Sequence, residues 1–329
     1  MSPVNMDQSS TIELSIVTTM YQSEGFIAEF HRLSTEAANG FTSSYEIIFV
    51  NDGSPDDSLE RSRALVEVDA HVRVVDLSRN FGHHRALLVG IEHARGRLVF
   101  LIDCDLEENP LTLSEFATEM KQTKADVVYG VQTIRKGGIV RKIGGVWFWS
   151  LFNLISEVKV TPNVITSRLM TRRYVNALLG FRERELFLSG IFALTGFKQV
   201  PMVVKKVARS GTSYTIRKRF ALLVNAITSF SSRPLLLVFY LGLAISLVSG
   251  ISAAGLLVTK LMSNDFAAGW PSLIVSIWLI GGITIFCLGL IGIYIAKVFQ
   301  EVKDRPLSII RDIYENTNQK VSTSMDLKQ

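Results

Sequence analysis

Two aspartates, Asp103 and Asp105, stand one residue apart where an apolar run ends. Val99-Phe-Leu-Ile102 reads as a strand buried on both faces. The chain then breaks into Asp103-Cys-Asp105-Leu-Glu-Glu-Asn-Pro110, acids ahead of a proline that can open a helix. Carboxylates are hard oxygen donors, suited to holding Mg2+ or Mn2+ against a diphosphate. On an ideal strand the two would share a face; at a strand exit the chain can also wrap both around one ion. Asp-x-Asp is short enough to arise by chance in a chain of 329 residues, so its position at a strand end carries the reading more than its pattern. Open parallel sheets bind ligands at that carboxyl edge.

The elements that would place these acids follow a regular alternation. Strands are expected over Ile12–Thr18, Tyr45–Val50, Val72–Leu77, Val99–Ile102 and Asp126–Val131. Between them lie a helix from Glu24 to Ala38, one capped by Ser54 or Asp56, one carrying Leu87, Ile91 and Ala94 on one side, and one from Leu111 to Thr123. Strand and helix alternating in this way predict an α/β domain with a mainly parallel sheet. Four strand exits are polar: Tyr21 to Glu24, Asp52, Arg79 with Asn80, and Asp103 with Asp105. Each alone could be a surface loop; gathered at one sheet edge they make a ligand cleft. Asp52 is placed to accept hydrogen bonds from a base or ribose. Neither a Gly-x-Gly-x-x-Gly fingerprint nor a P-loop is present.

The second half changes character. Residues 234–259 and 271–296 contain no Asp, Glu, Lys or Arg, and each exceeds the roughly 20 residues that cross a bilayer. Two transmembrane helices are therefore expected, a multi-pass arrangement. Arg233 precedes the first and Lys297, Lys303 and Arg305 follow the second, while the connecting loop offers Lys260, so counting basic residues puts both termini and the large domain in the cytoplasm. Without a long apolar stretch near the amino terminus no signal peptide is expected. Arg135, Lys136, Arg141 and Lys142 lead into Val146-Trp-Phe-Trp-Ser-Leu-Phe152, which suits a helix in the headgroup layer over about 135–160, with a core helix as the alternative. Residues 203–233 are again basic, enough to neutralise a lipid phosphate or simply to flank a span. Phe299 to Tyr314 reads as an amphipathic helix interrupted at Pro306, before a polar tail. The net charge of +5 is explained by a membrane surface without invoking nucleic acid. Cys104 and Cys287 fall in different parts of the chain, which argues against a disulfide and a thiolate metal site.

These residues resemble the family 2 glycosyltransferases of GT-A fold, in particular the membrane-bound branch that loads polyprenyl phosphates with a sugar. That branch includes bactoprenol glucosyl transferases, dolichyl-phosphate mannose synthases and undecaprenyl-phosphate aminoarabinose-type transferases. The likeness covers about 12 to 310. It rests on Val50-Asn-Asp-Gly-Ser54, Ser78-Arg-Asn-Phe-Gly82 with Ala86 and Gly90, Asp103-Cys-Asp-Leu106 with Pro110, Arg209 with Gly211, Ser213 and Tyr214, and Ser229-Phe-Ser231 ahead of Pro234. The order of these motifs, with two spans behind them, is more specific than any one of them.

The resemblance implies a domain plan and roles. A flexible terminus (1–11) precedes a GT-A domain (12–215), a juxtamembrane amphipathic helix (216–233), spans at 234–259 and 271–296, and a cytoplasmic helix and tail (297–329), in a bacterial inner membrane. Asp103 and Asp105 would hold Mg2+ or Mn2+ and the donor diphosphate, with Glu107 assisting as a base or holding sugar hydroxyls. Thr19, Tyr21, Glu24, Asp52, Arg79 and Asn80 would bind a nucleoside-diphosphate sugar, UDP-sugars being favoured. Arg135, Arg141, Arg168, Arg209 and Ser213 would meet the phosphates of the acceptor, a polyprenyl or undecaprenyl phosphate, or of the donor. A single displacement with inversion is implied. Thr19, Gln22, Ser23, Glu107-Glu-Asn109, Gln132 and Asn163 to Thr166 depart from the common pattern, leaving the sugar open. Gly242, Gly281, Gly289 and Gly292 permit close helix contact, either in a dimer or tetramer or between the two spans of one chain. A processive polysaccharide synthase is a weaker alternative, since no Gln-x-x-Arg-Trp motif is present; a non-catalytic, membrane-anchored binding protein is another.

Overall fold

The computed structural model describes residues 12–132, 163–181, 183, 188–204, scattered positions between 235 and 251, 270–303 and 305–316. The chain divides into two units, one of residues 1–142, 160–213 and 305–329, the other of 143–159 and 214–304. The expected interface segment (135–160), juxtamembrane helix (216–233), flexible terminus and polar tail lie almost wholly outside the described residues, as does most of the first expected span.

The first unit is built on an eight-stranded sheet. Its strands are β1 (Leu14–Met20), β2 (Tyr45–Asn51), β3 (Val72–Leu77), β4 (Leu98–Leu101), β5 (Val127–Val131), β6 (Val164–Thr171), β7 (Gln199–Val203) and β8 (Ile310–Glu315), in the spatial order β7-β5-β6-β4-β1-β2-β3-β8. Strands β4, β1, β2 and β3 run parallel in neighbouring pairs, as do β5 and β7. Antiparallel pairs join β4 to β6, β5 to β6 and β3 to β8. The sheet is thus mixed, more so than the alternation of the first 130 residues predicts. The helices of this unit are α1 (Ile27–Asn39), α2 (Ser58–Val68), α3 (His83–His93), α4 (Leu113–Thr123), α5 (Arg172–Leu178) and α6 (Leu188–Leu194).

Every residue of β1, β2 and β3 is buried, as expected of parallel strands covered on both faces. On one face Leu14, Ile16, Ile47, Phe49, Val74 and Phe100 pack with Phe30 of α1 and Phe116 of α4. Edge-to-face ring contacts link Phe30 to Phe49 at 5.7 Å and Phe100 to Phe116 at 5.4 Å. On the other face α3 lies so close that a Cβ on Gly90 would come within 2.4 Å of Val17 Cγ1 and 2.9 Å of Val50 Cγ2. Only a glycine lets the helix sit there, and α3 in turn supports the loops before it.

The reading of Phe299 to Tyr314 as a helix is corrected. Helix α7 (Trp270–Val302) ends before Pro306, and Ile310–Glu315 is an edge strand that hydrogen-bonds along β3. The C-terminal segment therefore belongs to the sheet-bearing unit rather than to a separate helix and tail. Its anchor is a buried ionic network at the amino ends of the parallel strands. Arg73 Nη1 donates to Glu46 Oε2 at 2.9 Å, and Arg73 Nε to Glu315 Oε2 at 2.9 Å. The second Glu46 oxygen accepts from Ser15 Oγ and the Arg95 backbone N–H, both at 2.6 Å.

Helix α7, in the second unit, has 33 residues, about 50 Å at 1.5 Å per residue. Within it Ile280–Phe299 is long and apolar enough to cross a membrane, and none of that stretch is buried by protein. Leu273, Ile277, Ile285, Leu288 and Ile295 are each 60 % or more exposed. A row of large apolar side chains uncovered along such a length supports association with a bilayer.

Removing the enclosed Glu46 leaves Arg73 only the half-exposed Glu315 as counter-charge and takes the acceptor from Ser15 Oγ and the Arg95 N–H. Glu46→Ala is expected to cost about 3 kcal/mol, a fall of roughly 6–12 °C in the unfolding midpoint of the detergent-solubilised protein. A thermal-unfolding comparison with the parent checks it.

Candidate active site

Where the strand order reverses, between β1 and β4, the carboxyl ends of β1, β2, β3 and β4 all open on one edge of the sheet. Four loops leave that edge, and backbone-to-side-chain hydrogen bonds bind them together. The β1 loop leans on the β2 loop: Gln22 N–H donates to Ser54 Oγ at 2.7 Å, Ser23 N–H to Ser58 Oγ at 3.0 Å and Glu24 N–H to Asp56 Oδ2 at 3.1 Å. In return the Glu24 carboxylate accepts the Asp57 N–H at 3.2 Å. Burial pushes the Asp56 carboxyl up, but hydrogen bonds from Ser54, Ser58 and Glu24 outweigh it and hold the group at about 2.

The β2 loop is fastened to the β3 loop through Asp52. Its side chain is buried, and its oxygens accept the Phe81 N–H at 2.7 Å and the Gly82 N–H at 3.0 Å. Burial raises the carboxyl above its ordinary range, against the pull of those two N–H groups. Next to it, Gly53 has φ +62°, and a Cβ there would lie 2.4 Å from Asn80 N and 2.5 Å from the Arg79 carbonyl carbon. Asn-Asp-Gly at this exit is thus read by the backbone: Asp52 draws the β3 loop in, and Gly53 makes room for it.

The β4 loop carries the acids. Asp105 Oδ1 accepts the Glu107 N–H at 2.9 Å, and Leu106 turns the chain at φ +59°. Asn109 caps the following 3-10 turn, Pro110–Thr112, accepting the Leu111 N–H at 3.0 Å. Cys104 lies buried between the two aspartates, and burial first, then the two carboxylates, drives its thiol far above the usual range. Burial keeps the thiol away from reagents in solution.

Two residues in this site escape sequence reasoning. His83, first in α3, places Nδ1 3.1 Å from Thr19 Oγ1 and Nε2 3.5 Å from Asp103 Oδ1. With the Thr19 hydroxyl donating to Nδ1, the Nε2–H faces Asp103, so the imidazole bridges the β1 exit to the acid loop. Glu108 is fully buried, and its Oε2 accepts the Ser167 N–H of β6 at 2.9 Å. The only local signal for His83 is its place directly after Ser78-Arg-Asn-Phe-Gly82; for Glu108 there is none, because its partner lies on a strand 59 residues on.

Of the residues expected to bind donor, Thr19 and Asp52 are buried and hold loops together, Glu24 caps the β2 loop, and Tyr21 stands 48 % exposed at the rim. Arg79 lays its guanidinium 4.0 Å over the Phe81 ring and donates to the Asn80 carbonyl. Asp103, Asp105 and Glu107 are half-buried in the β4 loop. Arg168, expected to meet phosphates, is only 4 % exposed; it packs its guanidinium 3.4 Å over Phe192 and reaches the carbonyls of Ile165 and Thr166. Burial pulls it down to about 10, opposed by the charges of Tyr174, Glu108, Tyr129 and Asp103. Arg135, Arg141, Arg209 and Ser213 lie outside the described residues.

The model of the family "Glycosyl transferase family 2" matches residues 15–178, from β1 to the end of α5, with all four loops. A Mycobacterium tuberculosis protein named "Putative glycosyltransferases" is 48% identical over 92% of this chain and 89% of its own. The chain belongs to glycosyl transferase family 2. A "Prophage bactoprenol glucosyl transferase homolog" of Escherichia coli is 33% identical over 92% of this chain and 99% of its own. The "Uncharacterized glycosyltransferase YkcC" of Bacillus subtilis is 34% identical over 95% and 98%. This family 2 protein is a glycosyltransferase with a GT-A-like α/β fold, and its reaction moves a sugar from a nucleoside-diphosphate sugar.

Among the described residues no group of three or more His, Cys, Asp or Glu side chains could hold a metal by itself. Two adjacent carboxylates fit a Mg2+-like ion differently, since such ions are commonly held by one or two acids and completed by substrate phosphates and water.

Two outcomes follow from this geometry. Gly53→Ala must push the β3 loop off Asp52, so affinity for a nucleoside diphosphate is expected to fall at least about tenfold, as an isothermal titration would measure. In a Cys287→Ser background, Cys104 is expected to resist maleimide at neutral pH until denaturant is added, which mass spectrometry reads directly.

Proposed function

We propose that this glycosyltransferase transfers a sugar from a nucleoside-diphosphate sugar, a UDP-sugar in preference, to a polyprenyl phosphate at the cytoplasmic face of a bacterial membrane. One observation carries the reading: a single chain joins four loops gathered around a carboxylate pair to a long apolar helix uncovered by protein. A water-soluble donor and a membrane-held acceptor need both. Identity of 33% to a bactoprenol glucosyl transferase homolog over nearly its whole length supports the lipid acceptor.

Asp103 and Asp105 would hold Mg2+ or Mn2+ with the donor diphosphate. Such an ion neutralises the charge that builds on the departing nucleoside diphosphate. The β1, β2 and β3 loops would fix the nucleoside end, with Tyr21, Arg79 and Asn80 at the open rim, while His83 steadies Asp103. A polyprenyl phosphate is already anionic, so one of its oxygens attacks the anomeric carbon as the bond to the diphosphate breaks, and no proton need be removed first. Backside attack inverts the anomeric centre. Glu107, on the acid loop, would hold sugar hydroxyls or assist as a base. Arg135, Arg141, Arg168 and Arg209 would draw the phosphates in by charge, and the Ser213 hydroxyl would add a hydrogen bond. Spans at 234–259 and 271–296, with basic residues flanking their outer ends, would keep the catalytic domain cytoplasmic.

The test is to offer the purified full-length protein a panel of UDP- and GDP-sugars with undecaprenyl phosphate and Mg2+ or Mn2+, and to follow glycolipid by mass spectrometry. One donor is expected to yield product. Asp105→Asn should lower kcat/KM by about 10²–10³, and chelation should abolish turnover until the ion is restored. Nucleotide binding without product from any donor would remove the lipid-acceptor reading.

A further inference from the structure

Strand β8 does more than close the sheet. Residues 303–309 connect it to the end of α7, and it pairs with the part of β3 that runs straight into the Ser78–Gly82 loop. Both backbone groups of Ser78 are taken by this segment: its N–H donates to the Ile309 carbonyl at 2.9 Å, and its carbonyl accepts from Arg311 Nη2 at 2.8 Å. The other guanidinium nitrogen, Arg311 Nη1, lies 3.4 Å from Asp76 Oδ2. Asp76 is wholly buried, and that oxygen has no hydrogen-bond donor, so the Arg311 charge is what compensates it. The remaining Asp76 oxygen accepts from Asn51 Nδ2 at 2.8 Å, Asn51 Oδ1 accepts the Ser54 N–H at 3.1 Å, and Ser54 Oγ accepts the Gln22 N–H. An unbroken line of polar contacts runs from the C-terminal strand through the exits of β3 and β2 to the β1 loop. At its far end β8 is pinned by Glu315 to Arg73 and Arg95.

We propose that β8 is a positioning element for the donor-binding loops, and that Arg311 is the positioning residue, acting through Asp76 and Asn51 without touching substrate. Take away its charge and Asp76 is left buried with a single neutral donor; the Asn51 side chain then loses its fixed partner, and the β2 and β3 loops lose their common register. The nucleotide half of the site depends on a strand contributed by the segment after the apolar helix. Glu315, holding the same strand at the opposite edge of the sheet, serves its stability alone.

The proposal rests on the reading of these loops as the nucleotide site, and its test separates the two. Full-length parent, Arg311→Ala, Arg311→Lys and Glu315→Gln are titrated with UDP and GDP in the presence of Mg2+ or Mn2+; thermal midpoints are recorded, and KM is measured separately for donor and undecaprenyl phosphate. Arg311→Ala is expected to weaken nucleoside-diphosphate binding and raise donor KM about tenfold, with acceptor KM unchanged. Arg311→Lys should recover part of that loss. Glu315→Gln should lower the midpoint with little change in donor KM. Parent protein that binds neither nucleotide overturns both readings. Parent that binds, with Arg311→Ala binding equally well, overturns the positioning role alone. So does an Arg311→Ala variant whose donor and acceptor constants shift together, tracking a midpoint drop like that of Glu315→Gln.

Discussion

A carboxylate shut away from water must find donors, and at Asp52 the donors are the backbone of another loop. That one requirement brings the β2 and β3 exits into contact, and Gly53 is the consequence, since no side chain fits between them. The same logic recurs around the edge. Asp56 gathers Ser54, Ser58 and Glu24, and His83 bridges Thr19 and Asp103. Polar residues that look available for ligand are, in good part, spent on holding each other. What they leave is a preorganised edge on which backbone groups and a few exposed side chains can meet a substrate.

Much of this was legible in the sequence. Alternating strand and helix patterns located β1 to β5 and α1 to α4 within a few residues, and the polar strand exits converge as the parallel order requires. The roles of individual residues were less legible. Glu24 and Asp52 have the right chemistry to grip a nucleoside, yet in the fold their nearest partners are N–H groups of neighbouring loops. That Arg168 lies inside the protein against Phe192 follows from its place on β6 and from no local pattern. His83 and Glu108 carry no local pattern, because the atoms they meet are brought by other strands.

The misreading of the C-terminal segment has the same cause. Ile-Arg-Asp-Ile-Tyr-Glu is too short for periodicity to decide between helix and strand, and Arg73, Asp76 and Arg95, which decide it, lie more than 200 residues earlier. The strands that run against the rest, β6 and β8, are likewise invisible to a pattern that predicts crossovers. Residue composition announces a buried strand, but not its direction.

Strands β7 and β8 form the two outermost edges of the sheet. The polypeptide leaves at one margin after Val203 and comes back at the other at Ile310, so residues 204–309 bridge seven inter-strand spacings, roughly 34 Å. In chain order the second unit is an excursion inside the first rather than an appendage behind it. During synthesis the final strand emerges from the ribosome only after that excursion has been made. The sheet therefore lacks its outermost strand until the long excursion has been synthesised, and the edge that closes the β3 exit is the last piece the fold acquires.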